Sequence, residues 1–123
     1  MRSDAFKAAA EAKDFSAAVD VFADDVVFRS PVVFKPYEGR DALLVLLGAV
    51  VRVFEDFRYV EQVETGDTAT LIFEARVGER EVQGVDILRF DADGRVREMI
   101  VMVRPMSGVH ALAEAMQRQL EAA

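Results

Sequence analysis

The sequence predicts an α+β domain in which a curved, mixed or antiparallel sheet wraps around helices placed early in the chain. Three observations carry that prediction. Apolar residues near the start recur at spacings of three and four, the second half alternates apolar and polar residues with a period of two, and the segments there are joined by tight turn signals. The 123 residues fall within the size of one domain, and residues 1–123 are taken as a single unit.

Each element can be justified in order. Phe6, Ala9 and Ala10, then Phe15, Ala18, Val19 and Phe22, give two helical stripes broken at "AKDFSAAVD". "DDVVFRSP" follows with the β-branched pair Val26 and Val27, and Pro31 cannot donate to a ladder, so a short edge strand is expected. Gly39 is placed to cap a helix running to about Phe54, with Asp41 in its positive first turn. "EDFRYVEQVET", from Glu55 to Thr65, supplies a strand. "TATLIFEARV" turns Leu71, Phe73, Ala75 and Val77 to one face, and "EVQGVDILRF" does the same with Val82, Gly84, Asp86, Leu88 and Phe90. "DADG" marks a hairpin turn, and "RVREMIVMVRP" returns with Met99, Val101 and Val103 facing in and Val96, Glu98, Ile100, Met102 and Arg104 facing out. The tail reads as a helix capped near Ser107, with an apolar stripe of Val109, Leu112, Met116 and Leu120.

Composition narrows the function classes. With 15 basic against 22 acidic residues the net charge is −7, so nucleic acid and membrane surface are not expected as partners. The longest apolar run, Ala42 to Val51, is about half the ~20 residues of a spanning helix, and the start lacks a signal-peptide core, so a cytoplasmic location is expected. The absence of cysteine removes disulfides and thiolate chemistry, and one histidine leaves no histidine-rich metal centre. Acid pairs such as Asp24–Asp25 fit turns and caps, and no metal or cofactor is assigned.

"KDFSAAVDVFADDVVFRSP", the "GRDA" helix start and "VDILRFDADGRV" together resemble the nuclear transport factor 2-like superfamily, and within it the SnoaL-like and ketosteroid isomerase-like proteins. The resemblance spans the chain up to Arg104. It implies a cone-shaped, cystatin-like roll with an apolar pocket between the concave sheet and the helices. The isomerase relatives use an aspartate base before the proline of the first strand, a tyrosine on the first helix and a protonated aspartate on a middle strand. Matched residue by residue, these positions carry Ser30, Phe6 and Asp86. A serine without a base beside it cannot accept a proton near neutral pH, and Phe6 donates no hydrogen bond, so isomerisation by the familiar route is not expected. Epoxide hydrolases of the superfamily also keep an arginine near the acid; two residues before Asp86 this chain has Gly84.

Asp86 is the catalytic candidate. A carboxyl alone on an apolar face is desolvated, which makes it a neutral donor or general acid, although a salt bridge or a bond to a neighbouring strand would place it there as well. Ser30 could meet a ligand or end a strand. Tyr37 and Tyr59 suit a pocket rim or half-buried packing. Inward parity adds Phe73, Leu88, Met99 and Val101 as ligand-binding candidates, with Phe6 above them and Leu71, Ala75, Val82, Gly84 and Val103 in the same set. Arg104 and His110 are expected at the surface.

Ile72, Val85, Ile87, Ile100 and Met102 form an apolar patch on the opposite face, which predicts a homodimer through the convex sheet. Two functions follow. One is a module that encloses a small hydrophobic molecule without turnover. The other is a proton-transfer enzyme of polyketide cyclase, isomerase or epoxide hydrolase type using Asp86 as acid or base, which a second titratable group beside Asp86 would favour.

Overall fold

The computed structural model describes residues 1–122. It has helix α1 (Asp4–Glu11), a 3-10 segment (Ser16–Val21), strands β1 (Phe22–Arg29) and β2 (Tyr37–Glu38), helix α2 (Arg40–Val53), strands β3 (Glu55–Thr65), β4 (Thr68–Val77), β5 (Arg80–Phe90) and β6 (Val96–Arg104), and helix α3 (Met106–Ala122). The six strands form one sheet in the order β2-β1-β6-β5-β4-β3, antiparallel except where β1 runs parallel to β6. The α+β mixed sheet is the expected architecture.

Local chemistry explains most element boundaries. Gly39 has φ 99°, a value open to glycine, and its carbonyl accepts the Leu43 N–H at 3.2 Å where α2 starts. Asp91 Oδ1 accepts the N–H groups of Asp93 and Arg95, each at 2.9 Å, and so shapes the β5–β6 turn. The second N-terminal helix is a short 3-10 segment with a non-helical Ala18, so the "AKDFSAAVD" break costs it α geometry.

Three expectations require correction. β1 is not the edge, because two-residue β2 pairs with Val27 and Phe28 outside it. Val96 was expected to face out with Glu98, but it is fully buried: a register shift between Arg89 and Phe90 sets Phe90 opposite Val96 and Arg89 opposite Glu98, which turns Val96 inward. Ser107 does not cap α3, whose first turn opens at Met106 with the Val109 N–H on the Pro105 carbonyl.

The concave side of the sheet has three zones. At one end Phe22, Val26, Leu43, Ala69, Leu71, Leu88 and Val96 fill the interior at 6% exposure or less. At the other, Val77, Ala75 and Val82 pack against Leu112 of α3. Gly108 permits that close approach, since a Cβ there would stand 2.5 Å from Val82 Cγ1. α3 therefore folds onto its own sheet and α2. Between the two packed ends lies an open zone.

Candidate functional site

The open zone is a cavity of about 430 Å³ between the sheet, α2 and α3. Asp86 faces it from the middle of β5, in register with Leu71 on β4 and Val101 on β6. Its side chain is buried, and its hydrogen-bond partner is the Tyr59 hydroxyl, which donates to Oδ2 at 2.5 Å. No buried side-chain polar atom among the described residues lacks a partner, so the second oxygen, which takes no protein donor, opens on the cavity.

The sheet explains how Tyr59 reaches across β4. Tyr59 on β3 is in register with Phe73, and Phe73 with Gly84 on β5, so the three stand in one row beside Asp86. Two interstrand steps of about 4.8 Å are within the reach of an extended tyrosine. Phe57 meets the Tyr59 ring edge-on at 4.9 Å and 87°, and Phe73 at 6.3 Å and 89°. The Phe73 ring lies over Gly84, where a Cβ would come within 2.2 Å of its Cζ. Gly84 is thus the space that lets Phe73 brace Tyr59, and an arginine cannot stand there while that ring does.

Burial pushes the Asp86 carboxyl up to about 7, and the bond from Tyr59 only partly opposes it. Burial, and then the charge and bond of Asp86, hold the Tyr59 phenol protonated far above its ordinary value. Below about pH 7, then, Tyr59 donates to one carboxyl oxygen and the protonated carboxyl can donate into the cavity.

Of the predicted ligand-binding residues, Phe6, Ser30, Tyr37, Tyr59, Phe73, Met99 and Val101 line the cavity with Asp86. Leu88 does not: it is fully buried in the filled end, between Ala69 and Met99 on the flanking strands. Leu71, Ala75, Val82, Gly84 and Val103 also face inward without lining the void. Ser30 is present but occupied, its Oγ accepting the N–H groups of Val32 at 3.1 Å and Val33 at 3.0 Å. Tyr37 packs on Phe28 at 6.2 Å. Arg104 and His110 are exposed, and Arg104 bonds Gln83 at 3.2 Å.

The sequence reading missed Phe57, which shares the parity of Tyr59, and the contribution of α3 through Leu112, Met116 and Leu120, whose stripe was visible but whose placement was not. Lys13, Gln117 and Glu121 supply the remaining charge and polarity, with Lys13 Nζ donating to the Phe54 carbonyl at 3.0 Å. No cluster of three or more metal-ligating acids, histidines or cysteines occurs among the described residues.

Residues 4–99 match the SnoaL-like domain family. The chain belongs to the SnoaL-like, NTF2-like family. A crystal structure described as a steroid delta-isomerase of Pseudomonas aeruginosa is similar to this SnoaL-like domain at 44% identity and TM-score 0.92, covering 95% of this chain and 87% of that one. An uncharacterised cystatin-like protein of Silicibacter pomeroyi DSS-3 is similar at 31% identity and TM-score 0.93, covering 98% and 85%. A putative SnoaL-like polyketide cyclase of Shewanella denitrificans OS-217, at 18% identity and TM-score 0.67 over 99% and 96% of the two chains, shares the fold. No curated protein matches the SnoaL-like chain. No helix among the described residues is long and apolar enough to cross a membrane.

Proposed function

We propose that this SnoaL-like domain binds a small, largely apolar molecule by a single oxygen acceptor, and that the Asp86–Tyr59 pair holds that oxygen. The observation that carries the reading is a buried carboxyl with one oxygen on Tyr59 and the other open to an apolar cavity. In such surroundings a neutral carboxyl donates a hydrogen bond that water does not compete for. A ketone such as 2-decanone should therefore bind more tightly than decane, and its affinity should fall about tenfold per pH unit once pH exceeds the Asp86 value. Calorimetric titration from pH 5 to 9 measures this. Equal affinity for ketone and hydrocarbon, or a flat profile, would remove the reading, and Asp86→Asn should flatten the profile.

A second reading is favoured by a specific observation. The Tyr59 hydroxyl, a second titratable group, stands 2.5 Å from Asp86, which is the arrangement expected to favour turnover. A carboxyl poised near 7 also suits general acid–base work at neutral pH, and the 44% identical relative is described as an isomerase. Ionised Asp86, no longer a donor to the carbonyl, would then take a proton from the carbon beside that carbonyl through its open oxygen. It would return one to the same carbanion, the carboxyl exchanging with solvent in between. Ser30 is tied to its loop and Lys13 to Phe54, and the other carboxylate of the lining, Glu121, is exposed at the mouth and takes the Gln117 amide at 3.1 Å. Enzyme-dependent deuterium uptake at that carbon, followed by NMR and lost in Asp86→Asn, supports turnover; uptake at the buffer rate leaves binding alone.

The convex sheet face supports a homodimer. Ile72, Val85, Ile87 and Ile100 are half-buried there, and Met102 is 55% exposed. Light scattering at micromolar protein should give twice the chain mass, and Met102→Lys should reduce it to one.

A further inference from the structure

The cavity opens where the loop between β1 and β2 meets the last turns of α3, because Pro31, Val32, Val33, Leu120 and Glu121 all line it. Phe34, at the tip of that loop, stands outside the cavity at 98% exposure, with Val32 and Val33 at 45% and 43%. Single exposed apolar residues are ordinary, whereas three consecutive ones at the mouth of an apolar cavity form a patch that something should cover.

The loop is braced and does not have the character of a flap. Ser30 Oγ accepts the N–H groups of both Val32 and Val33, and Pro31 and Pro36 fix the backbone on either side of the tip. Its charge also departs from the rest of the chain. Against a net charge of −7, residues 26–37 hold Arg29 and Lys35 and no acid. Arg29 is engaged by Glu98 at 2.9 Å, which leaves Lys35 beside Phe34. An aromatic tip with an adjacent lysine matches the boundary between acyl chains and headgroups.

We propose that the Val32–Lys35 tip docks this domain reversibly on a lipid surface, with the cavity mouth facing the phase in which an apolar ligand is most concentrated. The benefit to ligand transfer rests on the apolar-ligand reading above; the docking does not. The net charge of −7 speaks against a membrane surface for the chain as a whole, so the docking departs from that expectation only at this acid-free tip. With so few apolar side chains it is weak, and zwitterionic lipid is the better surface.

The chain has no tryptophan, so Phe34→Trp places a single reporter at the tip. Phosphatidylcholine vesicles, with no other ligand present, should shift its emission to the blue and carry the protein down on sedimentation. Phe34→Ser should lower the partition coefficient of the otherwise unaltered chain about tenfold, or 1.4 kcal/mol. Phosphatidylserine in the vesicles should weaken binding. No shift and no co-sedimentation at about 5 mM lipid would overturn the proposal, as would binding confined to anionic vesicles. A blue shift caused by 2-decanone without vesicles would make the loop a lid, and one that grows with protein concentration alone would make it a contact between copies; either overturns lipid docking. Vesicle binding without ketone binding would sink the ligand reading and leave the docking intact.

Discussion

Leu88 and Asp86 stand two positions apart on the same face of β5, yet one is core and the other is the polar centre of a cavity. Leu88 lies in the zone filled by Phe22, Val26, Leu43, Leu71 and Val96; Asp86 lies one step further along, where the covering helices leave a void. The difference teaches that strand parity decides which way a side chain faces, while the elements packed above it decide what it is used for. Facing inward is necessary for a site and does not make one.

Leu88→Ala tests the filled zone and should have the largest effect, about 2–5 kcal/mol in chemical denaturation, because the cavity it leaves has nothing to collapse into it. Val101→Ala, at a residue that already borders the void, should cost less than about 1 kcal/mol. Equal losses at the two positions would erase the distinction between the zones.

Asp86→Asn probes the open zone through pH. Below about pH 4 the carboxyl is protonated in both folded and unfolded chains, and between its ordinary 3.8 and about 7 only the unfolded chain has released the proton. Wild-type stability should therefore fall as pH rises through that window and level off above it, by at most about 4 kcal/mol relative to Asp86→Asn. Thermal melts of both proteins between pH 3.5 and 8.5, in about half-unit steps, give the difference directly. Parallel curves would mean that Asp86 is not desolvated.

Gly84→Ala sharpens the comparison at the boundary. Its new methyl would press on the Phe73 ring that braces Tyr59, for an expected loss of about 1–3 kcal/mol. The same change in a Phe73→Leu background should cost less. Purely additive losses would show that ring and glycine do not share that space.

Much of this was legible from sequence. Alternation along β4 and β5 turned Phe73 and Asp86 inward, and Gly39 and Asp41 marked the start of α2. What was not legible has a common cause in register. The shift at Arg89/Phe90 rotated Val96 inward without any signal in "DADGRV". A second irregularity, between Tyr59 and Glu61, makes Tyr59 face in and then Gln62 and Glu64, whose side chains meet the buried Ser3 near the start of α1. The pairing of Tyr59 with Asp86 crosses a whole strand, so no spacing in the chain announces it. Leu88 lies outside the cavity, in the packed core, a placement the sequence did not announce because parity carries no information about α1 and α2 overhead.

The glycine beneath Phe73 constrains how this scaffold could acquire new chemistry. A cation introduced beside the acid must displace an aromatic ring before it gains a counterion, so either substitution alone is a loss. Such a lineage would have to shrink the ring first, loosening the phenol that now steadies the acid, and would pass through an intermediate with neither arrangement intact.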